Sequence, residues 1–169
     1  DAFPFPSWEA DQDLNSAMQN SVNWYFQAID SQLGINRVQE FLNKIEYGNQ
    51  TTSSNLDLYW SDFSLKISPL EQVTLLKKFN TNEFHLNSQN VFSVKNAIKI
   101  ASTPNGNFYG KTGTGRVNGQ DINGWFIGYV ETSDNSYYFA TNIQSDSNAT
   151  GKKAFEITSN ILKKLHIWN

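Results

Sequence analysis

The chain reads as an α/β (α+β) domain in which helices pack on an antiparallel sheet. Three observations predict this class. Up to about residue 99, apolar residues recur in steps of three and four, the period of a helix face. From Phe108 the period shortens, and aromatic and β-branched runs are broken by glycine and by Ser133-Asp134-Asn135. A last amphipathic run then closes the chain. Helices, a strand meander and a closing helix are the order expected of helices layered on a sheet.

Each element follows from its own residues. After Asp11 and Asp13, the series Leu14, Met18, Val22, Tyr25, Ile29 and Leu33 makes one helical face that Gly34 stops, so a single helix is predicted over 14–33. Asn36 is expected to cap a short helix, with Gln39 three residues on and Val38, Phe41, Leu42 and Ile45 inward. Tyr47-Gly48-Asn49 and the polar stretch 50–55 read as a loop. Ser68-Pro69-Leu70-Glu71 has serine to cap, proline to open and glutamate three residues past the cap, predicting a helix from 69 to about 79. A further helix is predicted over 88–99, with Val91, Val94 and Ile98 inward. Pro104-Asn105-Gly106 marks a turn into β structure. Three antiparallel strands are predicted over 108–112, 125–131 and 137–143. The closing helix carries Ala154, Phe155, Ile157, Ile161, Leu162 and Leu165. Three strands are few for so many helices, which predicts further strands outside the chain.

Composition sets limits on function. Apolar residues make up 38% and aromatics 14%, enough to fill a packed interior. A length of 169 residues suits one domain, and no repeat or linker divides it. A net charge of −3 without any basic run argues against nucleic acid and anionic membrane surfaces as partners. The absence of cysteine excludes disulfides, thiolate catalysis and cysteine-type zinc sites. His85 and His166 are the only histidines and lie far apart, so neither a Ser-His-Asp triad nor a histidine-rich metal site is expected. No apolar run has membrane-spanning length, so any membrane attachment is expected through segments outside this chain. The abrupt start, Asp1-Ala2-Phe3-Pro4-Phe5-Pro6-Ser7-Trp8, reads like the middle of a domain.

The chemistry concentrates at Lys111-Thr112-Gly113-Thr114-Gly115, followed by the glycine-punctuated strand Gly124-Trp125-Phe126-Ile127-Gly128-Tyr129. A lysine followed by a hydroxyl residue and glycine offers a cation, a donor and bare strand backbone. Serine acyl transfer to a β-lactam uses all three: the substrate carboxylate needs the cation and the hydroxyl, and its amide lies along the backbone. Gly113 permits that approach because it lacks Cβ. The Thr114 backbone N–H is placed to donate to an oxyanion, a contact worth about 3 kcal/mol in a transition state. Upstream, Ser21-Val22-Asn23 matches the second motif of such sites, Ser-x-Asn, in which a serine and an amide relay a proton and bind a substrate side chain. Singly, Lys-Thr-Gly is also a common strand end, and Ser21 and Asn23 also suit the exposed flank of a helix. The first motif, Ser-x-x-Lys, occurs nowhere in the 169 residues. Thr74-Leu75-Leu76-Lys77 is no substitute, because it continues the helix capped by Ser68.

The ordered set Ser21-Val22-Asn23-Trp24-Tyr25-Phe26, Tyr47-Gly48-Asn49, Leu58-Tyr59-Trp60, Leu65-Lys66-Ile67-Ser68-Pro69-Leu70-Glu71-Gln72-Val73, Lys111 to Gly115 and Gly124 to Glu131 resembles the class D (OXA-type) β-lactamases. It is still more similar to the penicillin-sensor domains of the BlaR and MecR receptors of Gram-positive bacteria. The resemblance implies a serine β-lactamase/penicillin-binding-protein-like fold, with residues 1–169 the C-terminal portion of one such domain and its N-terminal segment missing. It implies an acylated serine and a lysine three residues later, both outside this chain. That lysine takes up carbon dioxide as a carbamate, and no other cofactor is implied. Trp60 matches the tryptophan that binds the carbamate, and Ser21 the serine that shuttles a proton. Lys111 and Thr112 match the carboxylate-binding pair, and Thr114 the oxyanion donor. Lys152 stands nearest to an arginine that grips the substrate carboxylate in many class D enzymes. The expected partners are a β-lactam antibiotic and the missing segment of the same domain.

Two functions fit this resemblance: a sensor that holds the acyl group and signals across a membrane, and a hydrolase that releases it with water. The first places the domain on the extracellular face of a Gram-positive membrane; the second makes it secreted or lipid-anchored. Asn23 bears on the choice. A carbamate persists where the parent amine stays uncharged in a dry apolar pocket. Class D hydrolases usually have valine or isoleucine at that position, whereas the sensors have asparagine.

Overall fold

The computed structural model describes residues 3–52, 56 and 59–169, which fall into two compact units. The first comprises Asp1–Ile67 and Asn82–Ile98, the second Ser68–Thr81 and Lys99–Asn169.

In the first unit, Pro6–Trp8 forms a 3-10 turn and α1 spans Leu14–Gln19. Asp13 caps α1 in a reciprocal box with Ser16, accepting its N–H at 2.8 Å and donating its own to the Ser16 hydroxyl oxygen at 3.0 Å. The helix predicted over 14–33 is in fact two. Ser21 takes φ +52°, and the Val22 N–H reaches back to the Ala17 carbonyl at 2.9 Å, closing α1 in a Schellman-type turn. α2 then runs Asn23–Leu33. The periodicity hid this break because Val22 re-enters the core, wholly buried, at the spacing an unbroken helix would have required.

Gly34, at φ +77°, leads directly into α3, Ile35–Lys44. Asn36 therefore lies inside α3 and does not cap it. The Gln39 side chain holds the following loop instead, donating to Asn43 Oδ1 at 2.8 Å and accepting from the Thr52 hydroxyl at 2.7 Å. Val38 and Leu42 are buried as expected, but Phe41 faces solvent. With Tyr59 they form a core on which Tyr47, Leu56, Trp60 and Leu65 pack. Residues 53–55 of the expected loop, and Leu58, lie outside the described residues. The helix expected over 88–99 is α5, Ser88–Ala97, capped by Asn87 and packed on α1.

In the second unit, α4 spans Pro69–Asn80 and has the predicted box between Ser68 and Glu71. The sheet has four strands among the described residues: β1 Lys99–Thr103, β2 Gly106–Val117, β3 Gln120–Thr132 and β4 Ser136–Gln144. They are antiparallel in sequence order. The expectation of three strands is corrected by β1, whose first residue, Lys99, had been placed at the end of the preceding helix. Its strand character comes from pairing with β2 across the predicted turn. α6, Gly151–Lys164, closes the unit.

Alternation along the strands sorts the sheet into two faces. Phe108, Phe126 and Val130 meet Ala154 and Leu162 of α6 in the core. The opposite face carries Tyr109, Tyr129 and Tyr138 in cross-strand register, with Tyr109 and Tyr129 stacked at 4.6 Å. α4 covers this face, and the Asn80 amide donates to the Tyr138 hydroxyl at 2.9 Å. Burial first, then the Glu131 carboxylate, pushes the Tyr109 phenol up to about 12, so it stays neutral at working pH.

Candidate functional site

The Lys-Thr-Gly motif sits in the middle of β2. Lys111 pairs with Ile127, Thr112 with Phe126, Gly113 with Trp125 and Thr114 with Gly124. β1 accompanies β2 only as far as Tyr109. From Gly110 onward, β2 therefore has a strand partner on one side only among the described residues. Its free edge is where an extended ligand can add along the backbone. Thr112, Gly113 and Thr114 are all exposed. A Cβ on Gly113 would meet nothing nearer than Trp125 Cβ at 3.8 Å, so no protein atom fills the space that glycine leaves.

Strand alternation directs Lys111 to the tyrosine face and Thr112 and Thr114 to the α6 face. The Lys111 ammonium folds back to donate to the Thr112 carbonyl at 2.9 Å. Burial lowers its pKa below the ordinary 10.5, because desolvation disfavours the charged form. In that window the unfolded chain binds more protons than the folded one, so stability rises with pH through it. Anion recognition runs the other way. Binding of a carboxylate at this ammonium is expected to weaken with rising pH at a value below that of free lysine. Lys111→Arg, which stays charged, should remove this limb from the pH profile of anion binding.

The start of α6 is built against this strand. Thr150 caps the helix by accepting the Lys153 N–H at 3.1 Å. The Gly151 N–H donates to Thr114 Oγ1 at 2.9 Å. Gly151 has no room for a side chain, since a Cβ would lie 2.7 Å from the Gly113 carbonyl oxygen and 3.0 Å from Thr112 Cβ. Gly124 faces the same crowding, since a Cβ there would overlap the Thr150 carbonyl. Lys152 is exposed on this first turn. Thr112, Gly113, Thr114 and the start of α6 thus form one assembly. The sequence reading missed the Gly124–Gly151 interlock, because a glycine required by close approach looks like any turn glycine.

The other predicted residues belong to the first unit. Ser21 and Asn23 are both exposed and flank the wholly buried Val22. Ser21 is thus neither in a helix nor on its flank; its left-handed backbone holds it at the joint between two helices, a conformation that costs a non-glycine residue energy. Trp60 is half-buried against the Val38–Leu42–Tyr59 core, and its indole N–H has no hydrogen-bond partner among the described residues. Asn49 acts as a clasp: its side chain accepts from the Lys66 N–H at 2.9 Å and donates to the Ser64 carbonyl at 2.8 Å. Gly48, at φ +50°, is forced, because a Cβ there would overlap the Lys66 carbonyl. No helix among the described residues is long and apolar enough to cross a membrane.

Residues 1–163 match the penicillin binding protein transpeptidase domain. The chain belongs to this family. Within the family it is 47% identical to regulatory protein BlaR1 of Bacillus licheniformis over 166 residues, which is 98% of this chain and 28% of that protein. It is 44% identical to methicillin resistance mecR1 protein of Staphylococcus aureus, with the same coverage. The chain thus spans little more than a quarter of the length of these relatives. The C-terminal domain of the Bacillus licheniformis BlaR penicillin-receptor superposes with a TM-score of 0.94 at 46% identity, covering 99% of this chain and 68% of that one. A class D β-lactamase from Bacillus subtilis superposes with a TM-score of 0.91 at 37% identity, covering 99% and 68%. The expected resemblance to BlaR, MecR and class D enzymes is borne out, as is the antiparallel sheet with helices packed on it.

Proposed function

We propose that this transpeptidase-family chain is the C-terminal portion of a β-lactam-sensing domain in a transmembrane antibiotic-resistance receptor. A serine outside these 169 residues is acylated, and the acyl group leaves slowly. The observation that carries this reading is Asn23, an exposed amide one buried residue away from Ser21, at a position where class D hydrolases usually have valine or isoleucine. The similarity to a penicillin-receptor domain over almost the whole chain supports it.

In this scheme the β-lactam amide lies along the free edge of β2, and Gly113 leaves room for it. Lys111 and Thr112 hold the carboxylate, with Lys152 as a second cation. The Thr114 backbone N–H supports the developing oxyanion. Ser21 passes a proton to the departing ring nitrogen. Trp60 offers its indole N–H to a lysine carbamate supplied from outside this chain. That carbamate is the only cofactor-like group in the scheme, and it would serve as general base. An asparagine amide beside it competes for hydrogen bonds with the lysine and favours loss of carbon dioxide, stranding the acyl-enzyme. The domain would lie on the extracellular face, with membrane attachment through other segments.

The alternative, a class D hydrolase, shares every step up to acylation and is favoured by the fold match to the Bacillus subtilis enzyme. The two separate on deacylation. Mixing the full-length parent protein with a chromogenic β-lactam should give one equivalent of product in a burst, then near silence. Sustained turnover would establish the hydrolase instead.

A further inference from the structure

Thr114 has a side chain as well as a backbone N–H, and the scheme above uses only the latter. Its Oγ1 accepts the N–H of Gly151, the first residue of α6, at 2.9 Å. That donor belongs to a buried residue. The other end of the junction is closed by Gly151 and Gly124, where any Cβ would collide with backbone of the facing element. Thr112 lies on the same face of β2, with its Cβ 3.0 Å from where a Gly151 Cβ would stand. The tether therefore fixes how far the first turn of α6, and Lys152 on it, stands from the Thr112 hydroxyl.

We infer that Thr114 is a positioning residue: its hydroxyl spaces the two arms of an anion clamp, Thr112 on β2 and Lys152 on α6, and so sets the preference for a substrate carboxylate. This inference rests on the β-lactam reading, although the tether itself does not. Valine matches threonine in shape but lacks the acceptor, so Thr114→Val leaves the Gly151 N–H without a partner and releases the first turn. Serine keeps the acceptor. Gly151→Ala pries the same junction open from the other side, although alanine is the better helix former.

The test compares a penicillin with its methyl ester on the full-length parent protein, reading the second-order acylation rate constant, and follows amide hydrogen exchange at residues 151–153. Thr114→Val and Gly151→Ala are expected to cut the carboxylate-over-ester preference roughly tenfold, the scale set by one lost hydrogen bond. Thr114→Ser should restore it, and exchange should quicken in the valine variant but not in the serine variant. Equal losses for acid and ester, or an unchanged preference, would overturn the positioning role. If the unmodified protein reacts with neither compound, the β-lactam reading fails. The tether is then judged on exchange alone: acceleration confined to Thr114→Val upholds it, and unchanged exchange refutes it.

Discussion

Asn23→Val in the full-length parent protein is expected to turn a single stoichiometric acylation into repeated turnover. Asn23 opens α2 immediately after the strained Ser21 and the buried Val22, so its backbone is set by a turn that valine does not disturb. The change costs only a few tenths of a kcal/mol in helix propensity. On the proposed reading, it removes an amide that competes for hydrogen bonds with the lysine and favours a drier pocket around that nitrogen. A shift of about 1.4 kcal/mol in the deacylation barrier is tenfold in rate, and an increase of at least that size is expected. Labelled bicarbonate provides the second readout: the carbamate carbon resonance should persist after acylation in the valine variant and vanish in the parent. Deacylation and carbamate occupancy that both remain at parental levels would remove Asn23 from the account.

Gly128→Ala is expected to cost at least about 3 kcal/mol and to lower the melting temperature by on the order of 10 °C. Gly128 is buried in β3 between Gly110 of β2 and Phe139 of β4. An added Cβ would overlap the Tyr109 carbonyl oxygen and lie 2.8 Å from both Gly110 Cα and Phe139 Cζ. Pairing on both sides leaves the strand nowhere to move. Gly113→Ala is the control. Its Cβ would meet Trp125 at 3.8 Å, an ordinary contact, so the melting temperature should hold, while on the proposed reading acylation slows because the new methyl enters the space left for the ligand. Circular dichroism melts of the two variants beside the parent decide the matter. Equal melting temperatures for Gly128→Ala and the parent would show that the sheet tolerates the clash.

In sequence both glycines simply punctuate strand-like segments, Gly113 between Thr112 and Thr114 and Gly128 between Ile127 and Tyr129. Only the neighbouring backbones distinguish a glycine that packing requires from one beside open space. Ser21 teaches the same lesson from the other direction. Steps of four from Leu14 through Val22 predicted an unbroken helix, because periodicity registers which residues point inward and is blind to one left-handed residue between them. Had Ser21 been glycine, the break would have been legible. Strand β1 escaped notice for a related reason: Lys99–Thr103 is short and polar, and pairing with β2 is what makes it a strand.

Where an element carries its own signal, sequence was enough. Ser68, Pro69 and Glu71 determine the start of α4 because every partner in the box lies within four residues. The meander from Phe108 onward follows from β-branched and aromatic runs separated by turns. The ordered motifs around Ser21, Trp60 and Lys111 identified the family because chemistry fixes residue types and spacing together. What tertiary structure alone decided is the setting of those motifs. β1 stops at Tyr109, which leaves the edge of β2 beside Gly113 without a strand partner among the described residues. Thr114 and Gly151, 37 residues apart, meet across a hydrogen bond that no local pattern announces. Local signals are written within a turn or two of the chain, whereas an open edge and a helix–strand junction exist only once distant segments have packed.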